Sequence, residues 1–284
     1  MNKITVKIDE LKFDIRRKAS EKISPIFLFL HGFKSFRNWG FIPYVCEKVA
    51  ELGNISITLD FSHNGVINEN PIHFDVEKFA KNTISQEIAD VDAFFSLLNN
   101  PSVWNEDLKN GLESWNGKII ICGHSRGAGV AIVSATKHIL AERLILLAPV
   151  SDFNRYTPRM INSWTDRGFM EFNDPASGQK LKVYAEYIKD LLDNSNKYDL
   201  TKIMQVLDLP TLIIHGDNDL STSLKEGKEL FENYNKNQEN KRNPCNFVII
   251  KKANHLFNSS HPFKESNQYL DEVIKNIKDF IVYE

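Results

Sequence analysis

Lys118-Ile119-Ile120-Ile121-Cys122-Gly123-His124-Ser125-Arg126-Gly127-Ala128-Gly129 decides the reading of this 284-residue chain. Residues 118–122 form an apolar run of strand length, and the small and apolar residues 130–139 that follow suit a helix. Between them stands a serine with a glycine two residues away on either side. A strand that turns at once into a helix nearly folds back on itself, so the residues flanking the turn must be small. Gly123 and Gly127 meet that demand, and Ala128 and Gly129 let the helix pack closely. Such a turn lifts the Ser125 hydroxyl above the sheet at the N-terminus of the helix. The glycine–serine–glycine spacing alone also occurs in structural turns; strand before and helix after make Ser125 a candidate nucleophile.

The rest of the chain supplies the sheet this turn requires. Ile4, Val6 and Ile8 alternate with polar residues, as do Phe13 and Ile15 after the turn-like Asp9-Glu10, which predicts an N-terminal antiparallel hairpin. The unbroken apolar run 26–30 suits a central strand covered on both faces. Further strands are expected at 55–59, 143–149, 211–214 and 247–250. Helical spacing is found over 44–52, ending at Gly53, over 84–98 through Ile84, Ile88, Val91, Phe95 and Leu98, and over 263–282. Strands alternating with helices predict a mainly parallel sheet with helices on both faces. The loop after 55–59 and the Asn- and Lys-rich stretch 233–243 read as polar and solvated.

One segment breaks the alternation. About sixty residues separate Pro149 from Pro210, where a plain connection needs far fewer. They are rich in aromatics and methionine, with a turn signal at 173–178 that predicts a small hairpin flanked by helices. The expected organisation is a core of residues 1–149 and 210–284 with an inserted cap at 150–209. An insertion at that strand end emerges at the carboxyl edge of the sheet, where Ser125 lies. Trp164, Phe169 and Tyr184 are its candidates for lining a substrate pocket, although aromatics of this kind as often form a small core of their own.

A serine needs a base. His255 follows the final expected strand in Lys251-Lys252-Ala253-Asn254-His255, and His261 is the alternative. The base needs an acid to orient it. The strand 211–214 runs into His215-Gly216-Asp217-Asn218-Asp219; Asp219 reaches further from the strand than Asp217, which suits loop capping, and Asp152 is a more remote candidate. Oxyanion donors are expected from the backbone N–H of Arg126, next to the serine, and of Phe33 in His31-Gly32-Phe33. His31 is expected to hold that loop. The Arg126 side chain has two readings, an anchor for an acidic substrate group or a salt bridge to a nearby carboxylate.

Composition limits the alternatives. With 42% hydrophobic and 25% charged residues the chain resembles soluble globular proteins, and a net charge of -2 offers no basic field for nucleic acid. No apolar run approaches the roughly 20 residues that span a bilayer. The first ten residues alternate apolar and charged, unlike a signal peptide, so the expected compartment is the cytoplasm. Three scattered cysteines, Cys46, Cys122 and Cys245, argue for buried thiols over disulfides or a zinc site. HExxH, GxxxxGK[ST] and GxGxxG are absent, so neither metal nor organic cofactor is implied.

The order Ser125, Asp219, His255, together with His31-Gly32-Phe33, resembles the α/β-hydrolase superfamily over nearly the whole chain. The look is closest to bacterial dienelactone hydrolase-like and cinnamoyl (feruloyl) esterase-like members. Two departures are Arg126, where many relatives carry Gln, Met or Leu, and Asp60-Phe61-Ser62-His63-Asn64-Gly65, where many have an Arg-Gly-His loop. The resemblance implies the α/β-hydrolase fold and a serine hydrolase with a small-molecule ester as its partner, the aromatic insertion favouring an apolar or aromatic acyl group. A thioesterase, amidase or small peptidase would use the same residues, although the chain lacks room for the N-terminal propeller of prolyl oligopeptidase-like peptidases. A non-catalytic ligand-binding member is the reading from another class; such proteins usually lose one of the three residues, and all three candidates are present here. Nothing in the sequence demands an oligomer.

Overall fold

Consecutive residues of a strand face opposite sides of a sheet, and that rule explains the apolar run 26–30. Ile26, Leu28 and Leu30 enter one hydrophobic core while Phe27 and Phe29 enter another. The computed structural model, which describes residues 1–18 and 22–282, puts these cores on the two faces of an eight-stranded sheet.

The chain order is β1 (Asn2–Ile8), β2 (Leu11–Arg17), β3 (Ser24–Leu30), α1 (Ile42–Ala50), β4 (Ile55–Asp60), β5 (Val66–Glu69), β6 (Ile72–Phe74), α2 (Val76–Ala80), α3 (Ile84–Leu98), α4 (Glu106–Leu112), β7 (Trp115–His124), α5 (Arg126–Lys137), β8 (Ala141–Leu147), α6 (Pro158–Arg167), β9 (Phe169–Asn173), β10 (Lys180–Tyr184), α7 (Glu186–Asp193), α8 (Leu200–Val206), β11 (Thr211–Gly216), α9 (Leu224–Asn235), β12 (Cys245–Ile250) and α10 (Gln268–Val282). The sheet runs β1-β2-β4-β3-β7-β8-β11-β12. The β1–β2 and β2–β4 pairs are antiparallel and the remaining pairs parallel. Leu30 pairs with Gly123, His124 with Leu147, and Gly216 with Ile250, so the loops after β3, β7, β8, β11 and β12 leave from one edge. Residues of α1 and α10 share a core with Phe27 and Phe29; residues of α3, α5 and α8 share the other. No helix among the described residues is long and apolar enough to cross a membrane.

Three local readings change. The polar loop after β4 contains the β5–β6 hairpin, whose Phe74 is buried although its neighbours are polar. The Asn-rich stretch begins inside α9: Tyr234 is fully buried and Asn233 accepts hydrogen bonds from Gln205 and Lys236. The last helix starts five residues later than its apolar pattern, because Asn267 Oδ1 accepts from the Tyr269 and Leu270 amides and caps it there.

Between β8 and β11 the chain forms α6, the β9–β10 hairpin, α7 and α8. In the hairpin turn Asp174 Oδ2 accepts from the amide and hydroxyl of Ser177, and Gly178 supplies φ +70°. Trp164 packs face to face on Tyr187, with ring centres 5.6 Å apart, and donates Nε1–H to the Val183 carbonyl at 2.9 Å. Gln179 bonds both the N–H and the C=O of Phe74, fastening the hairpin to the segment before α2. Trp164 is 1% exposed and Met160, one turn earlier, 40%. Trp164→Ala is therefore expected to cost about 3–5 kcal/mol in urea unfolding, whereas Met160→Ala should stay within about 0.5 kcal/mol of wild type.

Candidate active site

β7 ends at His124, α5 begins at Arg126, and Ser125 alone makes the turn, with φ +57° and ψ -122°. A side chain at positive φ is strained, on the order of 1–3 kcal/mol, and persists only where surrounding packing imposes it. The packing is backbone against backbone. A Cβ on Gly127 would lie 2.4 Å from the carbonyl oxygens of both Leu30 and His31, and one on Gly123 would lie 2.3 Å from the Gly127 carbonyl oxygen. The Ser125 amide donates to the Leu147 carbonyl at 2.9 Å. Its side chain remains partly exposed, at the floor of a cavity of about 690 Å³ that His255 also lines.

His255 and Asp219 meet directly: Nδ1 lies 2.8 Å from Asp219 Oδ2. The aspartate is a hub. Its Oδ1 accepts from the amides of Ser221 at 2.8 Å and Thr222 at 2.9 Å, and its Oδ2 accepts from the Thr222 hydroxyl at 2.9 Å. His215 Nε2 lies 3.4 Å from Oδ2 and 2.9 Å from the Thr222 carbonyl. Burial alone would raise the carboxyl, but hydrogen bonds from His215, His255 and the Thr222 amide outweigh it, and Asp219 is held far below the usual carboxylate range. It is an anion at any pH where a histidine base is neutral.

Asp217 points elsewhere. Its Oδ1 accepts from the Lys252 amide, binding the acid loop to the loop that carries His255. The same two loops touch at Gly216, where a Cβ would fall 2.2 Å from the Ala253 carbonyl oxygen, and the Asn218 amide donates to that carbonyl at 3.0 Å. His261 Nδ1 accepts from the Gly40 amide at 2.9 Å, and its ring stacks on Trp39. Asp152 accepts from the Asn154 amide. Of the alternatives weighed from sequence, none is paired with His255.

The loop after β3 is held by His31. Its Nε2 accepts from the Phe61 amide at 3.2 Å, which leaves the proton on Nδ1 to donate to the Gly32 carbonyl at 2.9 Å. Gly32 comes close to Ser125: a Cβ there would lie 3.1 Å from Ser125 Cβ. Arg126 is the first helical residue of α5, so its N–H has no acceptor within the helix. Its guanidinium pairs with Glu87 of α3, the second of its two sequence readings, and lies 4.5 Å from the Phe33 ring centre.

The cavity wall departs from the sequence expectation. Trp39, Phe153, Tyr156, Tyr187 and Leu256 line it, with Pro175 of the hairpin turn. Trp164, Phe169 and Tyr184 do not. Trp164 is enclosed by Tyr156, Phe172 and Tyr187, the Phe169 ring lies beneath Lys182, and the Tyr184 hydroxyl donates to Glu77 at 2.6 Å. Side chains of a two-stranded hairpin alternate between faces, and which face meets the cavity depends on how the hairpin docks on α2.

Sequence reasoning also missed His124, Thr222 and His215. His124 Nε2 donates to the His255 carbonyl at 2.9 Å, so the residue before Ser125 fixes the backbone of His255. The signal for Thr222 is local, a hydroxyl three residues after an aspartate. Burial pushes His31 down to about 4 and His124 down to about 3, both from an ordinary 6.5. Below pH 6.5 the unfolded chain takes up protons that the folded chain refuses until much lower pH, so stability falls as pH drops. The urea midpoint is expected to be level near pH 7 and to decline from pH 6.5 towards pH 4, each imidazole contributing on the order of 3 kcal/mol. A flat profile across that window would contradict the buried neutral histidines.

Similar folds occur in solved structures. Est1E from Butyrivibrio proteoclasticus superposes with TM-score 0.64 at 17% identity, covering 99% of this chain and 98% of its own. Alpha/beta hydrolase domain-containing protein 10 from mouse gives 0.65 at 17%, covering 99% and 98%. Dienelactone hydrolase from Anabaena variabilis gives 0.58 at 17%, covering 98% and 95%. Comparison with curated proteins gives no match. The family model described as the prolyl oligopeptidase family matches residues 109–281, from before β7 into α10. With that match over more than half its length, and with its sheet order, the chain belongs to the prolyl oligopeptidase family of α/β-hydrolases.

Proposed function

We propose that this protein is a serine hydrolase that cleaves carboxylic esters with an apolar or aromatic acyl group through an acyl-enzyme. One observation carries the reading: the 2.8 Å contact between His255 Nδ1 and a buried, anionic Asp219, opening on the cavity that holds Ser125 at its strained turn. Asp219 keeps the His255 proton on Nδ1, which leaves Nε2 as the base. His255 takes the Ser125 hydroxyl proton as Oγ attacks the acyl carbon, and the amides of Phe33 and Arg126 hold the oxyanion. The protonated imidazole then gives its proton to the leaving alcohol. Water, deprotonated by the same histidine, attacks the acyl-enzyme and restores Ser125.

The acyl preference rests on the wall. Trp39, Phe153, Tyr156 and Tyr187 offer flat apolar surface, with the segment 150–209 acting as a cap over the nucleophile. Est1E has been solved with ferulic acid bound, an aromatic acid of the kind proposed as the acyl group here. A second reading, cleavage of an amide or peptide bond by the same three residues, is favoured by the description of the family model. Ester, thioester and anilide substrates with one matched acyl group separate the two: the proposal expects the ester to be turned over fastest, and an anilide at parity would favour the second reading.

Two substitutions test the roles. Ser125→Ala is expected to fold normally and to lose about 10³-fold or more in ester turnover. Asp219→Asn should lose about 10³–10⁴-fold in kcat, because the amide no longer enforces the tautomer. Asp217→Asn should lose far less, since that side chain serves the Lys252 amide. Equal losses at the two aspartates would remove Asp219 from its role.

A further inference from the structure

The residues whose amides are proposed to hold the oxyanion also touch through their side chains. The Arg126 guanidinium lies over the Phe33 ring at 4.5 Å, close enough for cation–π attraction. Behind it Glu87, from the first turn of α3 and 1% exposed, pairs with Arg126 Nη2 and takes a second hydrogen bond from Asn82 Nδ2 at 2.8 Å. Phe33 also meets Phe79 at 5.5 Å and, edge-on, Phe172 of β9 at 5.3 Å. Next in sequence, Lys34 Nζ donates to the Asn173 carbonyl at 3.2 Å and lies 3.7 Å from Asp174.

As a device for stability this arrangement is poor. Glu87 is withdrawn from water, the Arg126 side chain is 12% exposed where it lines the cavity, and Glu87 Oε2 and Arg126 Nε are buried without a hydrogen-bond partner among the described residues. A buried pair of this kind gains little over apolar residues of similar volume. What it does supply is rigidity. The carboxylate on Arg126 Nη2 restrains the planar guanidinium over the ring it covers.

We infer that Glu87 is a positioning residue for the oxyanion site: through the Arg126–Phe33 stack it sets the spacing of the two amides and fastens the β9–β10 hairpin beside them. The inference rests on the proposed roles of Ser125 and those amides. Glu87 touches no substrate, so its effect falls on kcat, where transition-state geometry counts, and not on KM.

The test uses hydrolysis of p-nitrophenyl butyrate by the full chain, with kcat, KM and thermal melts recorded for each variant. Arg126→Met combined with Glu87→Leu replaces the pair with apolar groups of similar size. It is expected to fold, with a melt lowered by no more than the lost Asn82 hydrogen bond accounts for, to lose about 10²-fold in kcat, and to keep KM within about threefold. Phe33→Leu alone should lower kcat less, and adding it to the pair variant should cost less than the two separate losses combined, since the stack is already gone. If the pair variant does not fold, Glu87→Gln serves: it keeps the volume, and kcat should fall with KM unchanged. A folded pair variant with wild-type kcat overturns the inference. So does a raised KM with unchanged kcat, which would make Arg126 a substrate anchor. Ser125→Ala is run alongside; if it turns over the ester like wild type, the underlying reading fails whatever the Glu87 variants do.

Discussion

Gly127 touches the carbonyl oxygens of Leu30 and His31 with no side chain between them, and the site is organised around that contact. It brings the first turn of α5 against the end of β3, so the start of the loop after β3 and the turn at Ser125 are seated on each other, and the Arg126–Phe33 stack aligns the rest of that loop. Any side chain at 127 would put a Cβ 2.4 Å from those oxygens and force the two segments apart. The strain at Ser125 is tolerable because neither neighbour can relax. The contact explains why the serine hydroxyl, the amide after it and the loop from β3 converge on a single point although some ninety residues of chain separate them.

Around this object the protein uses two buried polar hubs. Asp219 gathers His255, Thr222 and His215 and ties the loops after β11 and β12 to one another. Behind the loop that follows residue 33, Arg37 is paired with Asp14, Asp60 and Glu69, and its amide donates to Asp60 at 2.7 Å. Buried ion pairs are weak contributors to stability, because desolvation offsets most of their attraction. Their geometric demands make them good at specifying one arrangement of a loop. The hydrophobic layers on the two sheet faces supply the stability; the hubs determine where the loops at the carboxyl edge end.

The parts that could be read from sequence are those where local pattern and final environment coincide. The run 26–30 reads as a buried strand because its residues serve two cores in alternation. Ser125 is legible because backbone crowding leaves glycine as the only choice at 123 and 127. Asp219 is favoured over Asp217 on reach alone, and the contacts of the two side chains differ accordingly. Between 150 and 209 the pattern fails. Aromatic residues there form a stacked cluster around Trp164 and Tyr187, and only docking on α2 and α3, distant in sequence, decides that Tyr156 and Tyr187 face the cavity while Trp164, Phe169 and Tyr184 do not. His124 shows the same limit. Its position before the serine looks like filler in the motif, yet its ring bonds the carbonyl of His255, 131 residues away.

The central claim is that Ser125, activated by His255, is the atom that attacks. Covalent trapping measures this most directly. Intact mass spectrometry after exposure to a fluorophosphonate, followed by peptide mapping, should show a single adduct on the peptide containing Ser125. Labelling should be lost in His255→Ala. An unmodified chain, or an adduct on any other residue, would contradict the account.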